Sequence, residues 1–498
     1  MSIMKNRLAA TSPLPSTFRP RRAAAAPLLA VAALTLAACT VGPDYRRPDA
    51  PVSLTFKEAD GWKAATPGDD RPKGAWWAPF GDATLSELLA QVQVSNQNVA
   101  NYAALYREAL ALARASQSDL LPSATASLQS TRSRSATSAT RSSAYGTTDS
   151  ISNAHTATAS LSWELDIWGK LRRTLEENRA SAAASAAELA NATLSAQSEL
   201  AQDYFQVRGL DRRIALYDQT IAAYERYATV IRNKYDEHIA SRATLAQANN
   251  QLESARSSRL DLVWQRAQLE HAIALLIGKP PADFALAVDA AWVPRLPDIP
   301  VGLPTQLLER RPDIAEAERK MAAANAAVGV AVAAYFPDLT LSASAGFQST
   351  VFSRLFSLPN RFWSVGPTLS GTLFDFGATR AGVEQARAAY DAQVATYRQT
   401  VLTALGQVED YLVELRTLDP EIEAQRRAAA AAGESAEVTR DQYEAGMIDY
   451  LDVATTQASL LSAQQSLLTL QSTQLVTSVQ LIAALGGGWD SQASAGQR

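Results

Sequence analysis

Two kinds of hydrophobic spacing alternate along this chain. Val207, Ile214, Ile221, Ala228 and Tyr235 recur every seven residues, and Leu210, Tyr217, Tyr224 and Ile231 form a second such row. Ala248, Ala255, Leu262, Leu269 and Leu276 repeat the spacing, as do Ala454, Leu461, Leu468, Leu475 and Ile482. A seven-residue period keeps an apolar stripe facing a partner only when helices wind left-handedly around each other, so these rows predict coiled coils. Gly169 to Tyr235 is 66 residues, as is Gly377 to Tyr443, which at ~1.5 Å per residue makes each helix on the order of 100 Å long. Shorter helices over roughly 83–119 and 240–277 together match the first long helix. Each long helix is therefore expected to pack against two short ones stacked end to end. No proline falls between Pro122 and Pro280, whereas Pro420 lies inside the second long helix and predicts a kink there.

The other spacing has period two. Ala157, Ala159, Leu161, Trp163, Leu165 and Ile167 alternate with small polar or acidic residues. So do Leu339 to Phe347 and Val365 to Leu373, and more weakly 123–130. About ten residues of strict alternation is the pattern of an outer-membrane barrel strand. A soluble sandwich needs more than the four strands on offer. Four strands also cannot close a barrel, whose minimum is about eight, and an open strand edge does not persist in lipid. Copies of the chain must therefore pool their strands. Two copies give eight, with a filled lumen, and three give twelve, with room for a pore; alternation leaves that choice open.

The chain duplicates itself at an offset of 208. Leu165-Asp166-Ile167-Trp168-Gly169 answers Leu373-Phe374-Asp375-Phe376-Gly377, Tyr235 answers Tyr443 and Gly278 answers Gly486. Leu121-Pro122 answers Phe336-Pro337 at an offset of 215, so the slippage lies between Pro122 and Gly169. Between the halves, residues 279–312 hold seven prolines and cannot be regular helix. The expected organisation is a signal peptide over 1–38, a lipidated N-terminal segment over 39–82, a first repeat over 83–278, a proline-rich linker over 279–312, a second repeat over 313–488 and a tail over 489–498.

The N-terminus changes the picture most. Lys5, Arg7, Arg19, Arg21 and Arg22 precede an apolar run from Ala23 to Ala38 that is short for a membrane helix, the layout of a secretory signal. Leu36-Ala37-Ala38 leads into Cys39, the only cysteine of 498 residues. Such a lone thiol after small residues resembles the bacterial lipobox, in which the thiol is acylated and becomes residue one. The other reading is an ordinary signal with an incidental cysteine. Two or more acyl chains anchor firmly. Loss of the five cations takes the 46 basic residues to 41 against 50 acids, net −9. Met321 to Phe336 is too short and alanine-rich to span a bilayer. One cysteine excludes a disulfide framework, three histidines are scattered, no basic block points to nucleic acid, and nothing resembles a catalytic constellation, so no enzyme is expected.

A resemblance then becomes specific. "CTVGPDYRRP" at Cys39–Pro48, "WWAPFGDATLSELL" at Trp76–Leu89 and the long motif at Arg310–Ser344 resemble the outer-membrane factor family, the TolC/OprM-type and NodT-like efflux lipoproteins. "LFDFG" at Leu373–Gly377 and "YEAGMIDYLDV" at Tyr443–Val453 agree. The resemblance implies a mostly helical fold with a transmembrane β-barrel portion. Three chains pool four strands each into a twelve-stranded barrel above a periplasmic coiled-coil tunnel. It also implies an outer-membrane, lipid-anchored exit channel for small toxic or drug-like molecules, working with a periplasmic adaptor protein and an inner-membrane pump. No cofactor beyond the lipid on Cys39 is implied. The exit duct of a type I protein secretion system shares the architecture and stands as the alternative; a channel-less coiled-coil tether is disfavoured by the alternating strands.

A conduit needs a gate at its periplasmic end. The turns near Glu237–Arg242 and Gly446–Tyr450 are the expected helix tips and adaptor contacts. Gly446 suits a left-handed helix stop, whereas His238 stands where relatives often carry glycine. The resemblance puts an acid six residues and an arginine three residues before the tip tyrosine, which gives Glu437, Arg440 and Tyr443 as gate residues, with Glu437 in place of the relatives' usual Asp. Three acids meeting on a symmetry axis repel unless cations or arginine pair with them; the competing reading is a surface pair. Asp441 and Arg232 are weaker candidates. The Ser/Thr-rich tract Ser130–His155 is the expected first extracellular loop, whose Arg132, Arg134 and Arg141 either meet lipopolysaccharide phosphates or stay solvated. Trp163, Trp168, Phe362 and Trp363 are either aromatic girdle or packing.

Overall fold

A computed structural model describes residues 40–53, 55–58, 75–134, 151–297, 299 and 310–487. Its elements are α1 (Ala83–Ser95), α2 (Gln97–Ser118), β1 (Ser123–Arg134), β2 (Ile151–Leu165), α3 (Lys170–Asp236), α4 (Arg242–Leu276), α5 (Pro312–Ala333), β3 (Asp338–Ser349), β4 (Arg361–Ser370), α6 (Ala378–Glu444) and α7 (Tyr450–Ala484). They form two compact units. One holds residues 40–42, Pro122–Arg172 and Val332–Leu373, the other Pro43–Leu121, Arg173–Ala331 and 374–487.

The duplication is visible residue for residue. Helices α3 and α6 are both 67 residues long, α4 and α7 both 35. Left-handed glycines recur at the same offset, Gly169 (φ 83°) with Gly377 (φ 95°) and Gly278 (φ 69°) with Gly486 (φ 95°). Each long helix starts on a nearby aspartate. Asp166 accepts the amides of Leu171 (3.1 Å) and Arg172 (2.9 Å), and Asp375 accepts that of Thr379 (2.7 Å).

In the helical unit most of the α3 heptad positions turn inward, whereas Tyr235 at the tip is exposed. Val207, Leu210, Ile214, Tyr217, Tyr224, Ala228 and Ile231 are buried, with Ala248, Leu252, Ala255 and Leu262 of α4 and Val453 and Ala454 of α7 beside the lower part of that row. Helices α1 and α4 meet end to end. Asn96 donates to the Leu276 carbonyl (2.7 Å) while accepting the Val99 amide (3.0 Å). That double role breaks the single helix expected over 83–119 into α1 and α2, because an Asn held in extended backbone is an N-cap. In the second half Arg311, next to the start of α5, donates to the Ala484 carbonyl at the end of α7 (3.1 Å). Helix α6 runs as one element through Pro420. The N-terminal strap docks on the second repeat: Arg47 donates to the Tyr397 hydroxyl (3.0 Å), Phe56 is buried, and Glu409 accepts the amides of Lys57 (2.7 Å) and Glu58 (2.9 Å). No helix among the described residues is long and apolar enough to cross a membrane.

The other unit is a four-stranded antiparallel sheet in the order β1-β2-β3-β4. Its strands outrun the alternation: β1 pairs with β2 from Ser123↔Ser162 to Arg134↔Ile151. Both ends of the tract expected as loop, Ser130–Arg134 and 151–155, are therefore strand, since a ladder is a backbone interaction that Ser and Thr support through bonds such as Ser133 to Ser152 (2.9 Å). At the other end β2 stops at Leu165, because Asp166 is taken up in starting α3.

Candidate functional site

The register decides what the sheet is for. Ala124, Ala126 and Leu128 of β1 stand opposite Leu161, Ala159 and Ala157 of β2. These stand opposite Ala343, Ala345 and Phe347 of β3, and the row reaches Val365 and Trp363 of β4. Trp163, Leu341 and Pro367 form another row across the same face. The alternating apolar positions of four separate segments thus lie on one side, with Phe362 and Ala154 the exceptions. The other side carries Ser123, Thr125, Ser127, Ser160, Ser162, Thr340, Ser342, Ser344, Ser364 and Thr368. The apolar side is uncovered: Leu128 is 66% exposed, Val365 62%, Leu369 65% and Trp363 72%. An apolar face this continuous is tolerated against lipid and not against water. Strands β1 and β4 each pair on one side only, so the sheet ends in two open edges.

The four aromatic residues separate. Trp163 and Trp363 lie on the apolar face, whereas Phe362, opposite Gly346, lies on the polar one. Trp168 lies beyond β2, donating to the Pro337 carbonyl (3.0 Å) and stacked on Phe336 at 4.6 Å. Cys39 lies outside the described residues. Its neighbours do not: the Val41 amide donates to the Trp168 carbonyl (3.0 Å), and Thr40 stands so close to Gly169 that a Cβ there would come within 2.9 Å of it. The chain just after Cys39 is thus held at the end of β2 where α3 begins.

The helix tips close by one backbone motif. The amides of His238 and Ile239 return to the carbonyls of Tyr235 (2.9 Å) and Lys234 (2.7 Å). Those of Gly446 and Met447 return to Tyr443 (3.0 Å) and Gln442 (2.9 Å). This paired return needs a left-handed residue at its hinge. Gly446 supplies φ 72°, and His238 adopts φ 64° in its place.

Glu437 and Arg440 lie one turn apart on α6, 3.6 Å between Oε1 and Nη2. Arg440 is closer to Asp441 (2.9 Å) and also faces Glu444 (4.0 Å). Hydrogen bonding to Asp441 raises the Arg440 pKa. The four side chains are well exposed, so the last turns of α6 present three carboxylates around one guanidinium. Tyr443 is held from α3: Lys234 Nζ donates to its hydroxyl (3.1 Å) and sits 4.4 Å from its ring centroid. Beneath it lies Tyr450, whose ring centroid is 6.1 Å away. The Tyr450 hydroxyl donates to Gln251 (3.1 Å), whose amide donates to the Ala454 carbonyl (2.8 Å). Burial pushes Tyr450 up to about 12. Lys234 and Gln251 escaped the sequence reading, in which Tyr450 is only the end of the tip turn. The adjacency of Lys234 to the duplicated Tyr235/Tyr443 pair was the available signal; the pairing itself exists only in the fold. Arg232 is exposed.

The sequence profile of the family described as "Outer membrane efflux protein" matches residues 88–279 and 303–487, one segment per repeat. The chain belongs to that family. The probable efflux pump outer membrane protein TtgC of Pseudomonas putida is 30% identical over 470 residues, 93% of this chain and 96% of that protein. The pyoverdine export outer membrane protein OpmQ of Pseudomonas aeruginosa is 32% identical over 472 residues, 92% of this chain and 96% of that one. The solved outer-membrane channel OprN superposes with a TM-score of 0.83 at 29% identity, covering 91% of this chain and all of that one. Membership carries the fold class, a helical tunnel plus a barrel, to both repeats.

Proposed function

We propose that this chain is the outer-membrane exit channel of a tripartite efflux pump, conducting small toxic or drug-like molecules passively from the periplasm to the outside. The observation that carries the reading is the sheet: the alternating apolar positions on one uncovered face, hydroxyl side chains on the other, and an open edge at each end. Closing those edges with further copies turns the apolar face to lipid and the hydroxyl face to a lumen. Three copies give twelve strands, the number that leaves a pore. The protein makes and breaks no covalent bond in transport; the inner-membrane pump supplies the energy and a periplasmic adaptor joins the two. OpmQ is named for pyoverdine export and TtgC for efflux without a stated cargo, which supports a duct that does not choose what it passes.

Three further assignments belong to this reading. A lipid on Cys39 anchors the chain, consistent with the pinning of Val41 beside Trp168 at the sheet's helix-side end. Glu437 and Arg440, with Tyr443 fixed by Lys234, form the periplasmic gate, where symmetry multiplies three carboxylates per chain around the axis. The turns at His238 and Gly446 are the tips that meet the adaptor. The test is dye accumulation in cells lacking the chain, with purified protein read in planar bilayers. Higher accumulation reversed by restoring the gene, together with channel conductance, is expected; no conductance overturns the reading.

A further inference from the structure

The sheet's strands join the helices at one end and each other at the opposite end. At that second end the charges of the described residues are one-sided; Asp149, in the β1–β2 connection, lies outside them. No Asp or Glu occurs from Leu339 to Phe374, in Ser123–Arg134 or in 151–163, although the whole chain carries a net charge of −4. Among the described residues the cations there are Arg132 and Arg134 on β1, Arg354 in the β3–β4 connection and Arg361 on β4, all exposed. Arg132 and Arg361 form no ion pair among the described residues.

The register adds which way they face. Arg134 stands opposite Ile151 and Arg132 opposite Asn153, in the β1 series that carries Leu128, Ala126 and Ala124. Arg361 stands opposite Phe347, in the series of Trp363, Val365 and Leu369. All three strand arginines therefore lie on the apolar side of the sheet and none on the hydroxyl side. Arginines kept only for solubility, or to attract cargo, have no reason to avoid the lumen side. The apolar series on β3 runs from Leu339 to Phe347, about 27 Å of strand and roughly 20 Å of membrane depth at the usual tilt. Arg132 lies four residues past Leu128, about 14 Å further along, which is headgroup rather than hydrocarbon. Arg132 and Arg134 project side by side about 7 Å apart on one face. A guanidinium fork matches a phosphate oxygen pair.

We propose that Arg132, Arg134 and Arg361 form a binding site for the phosphates of the phosphorylated glycolipid in the outer leaflet. In a closed barrel β4 of one copy adjoins β1 of the next; Arg361, level with the last apolar row of Leu128, Ala157 and Phe347, then marks the inner end of the site and the neighbour's β1 pair its outer end. The inference rests on the outer-membrane reading above.

The test uses the full-length protein in detergent, with bound lipid counted by native mass spectrometry. The probes are bisphosphorylated lipid A and the same lipid with its phosphates removed. Wild type is expected to bind the bisphosphorylated form at least tenfold more tightly, a ratio worth about 1.4 kcal/mol. The double variant R132Q/R361Q is expected to lose most of that preference, and R132K/R361K to keep most of it. Equal binding of the two lipids by wild type, or an undiminished preference in R132Q/R361Q, overturns the site. Conductance of the same preparations separates the two ideas. Protein that forms no channel refutes the membrane reading, whereas a fully conducting R132Q/R361Q with unchanged lipid A preference refutes the arginine site alone.

Discussion

His238 and Gly446 stand 208 residues apart and occupy the same left-handed hinge, at φ 64° and φ 72°. One is a residue that conformation suits and the other is not. The strain at His238 is of the order of 1 kcal/mol. Replacing His238→Gly is therefore expected to stabilise the chain by roughly half to 1 kcal/mol, offset in part by unfolded-state entropy. Gly446→Ala, where an added Cβ meets nothing within 4 Å, is expected to lose about 1 kcal/mol through backbone strain alone. Opposite shifts in thermal melting check both; a gain at Gly446 would contradict the shared geometry.

The gate assignment predicts leak. Alanine at Glu437 or Arg440 is expected to raise closed-state conductance severalfold, because it unbalances a ring of like charges. Closed-state conductance unchanged in both variants would leave the pair as surface decoration.

Tyr443 depends on Lys234. A double-mutant cycle of Lys234→Met and Tyr443→Phe is expected to show about 1 kcal/mol of coupling in denaturant unfolding. Additive losses would mean that the contact holds nothing.

Asp203 predicts a pH dependence. Burial, with repulsion from Glu199 one turn away, pushes its pKa from 3.8 up to about 7. The native state then keeps a proton that the unfolded chain releases. Stability contributed by this group falls as pH rises from about 4 to about 7 and is level above that. Asp203→Asn is expected to gain about 1–2 kcal/mol at pH 8, after allowance for solvent screening, and nothing below pH 3.8. Melting curves at the two pH values decide it; an equal gain at both would point to packing instead.

The lipid has a direct assay. Cys39→Ser is expected to abolish palmitate labelling, since no second thiol exists in the chain. Continued palmitate incorporation in that variant would overturn the lipobox reading.

Much of this was legible along the chain. Seven-residue rows such as Leu210, Tyr217, Tyr224 and Ile231 stated the burial of α3 because a helix repeats its faces at a fixed angle. The 208-residue offset stated that two long helices would share one length, and they do. Strand ends were less legible. Ser130–Arg134 reads as loop by composition, yet pairs with 151–155, because ladder bonds are made by backbone groups that composition does not report. Asn96 reads as one more helical residue until the Leu276 carbonyl arrives beside it.

The division follows from the range of each interaction. Periodicity, helix stops, the duplication and the lone cysteine are local properties, set by the geometry of consecutive residues, and they were readable before any fold was known. Contacts between distant segments were not: the register that gathers four alternating segments onto one apolar face, the side on which Arg132 and Arg361 emerge, and the grip of Lys234 on Tyr443, 209 positions away. A one-residue slip in any strand would turn its whole apolar set to the opposite face. Only the assembled hydrogen-bond ladder chooses between the two.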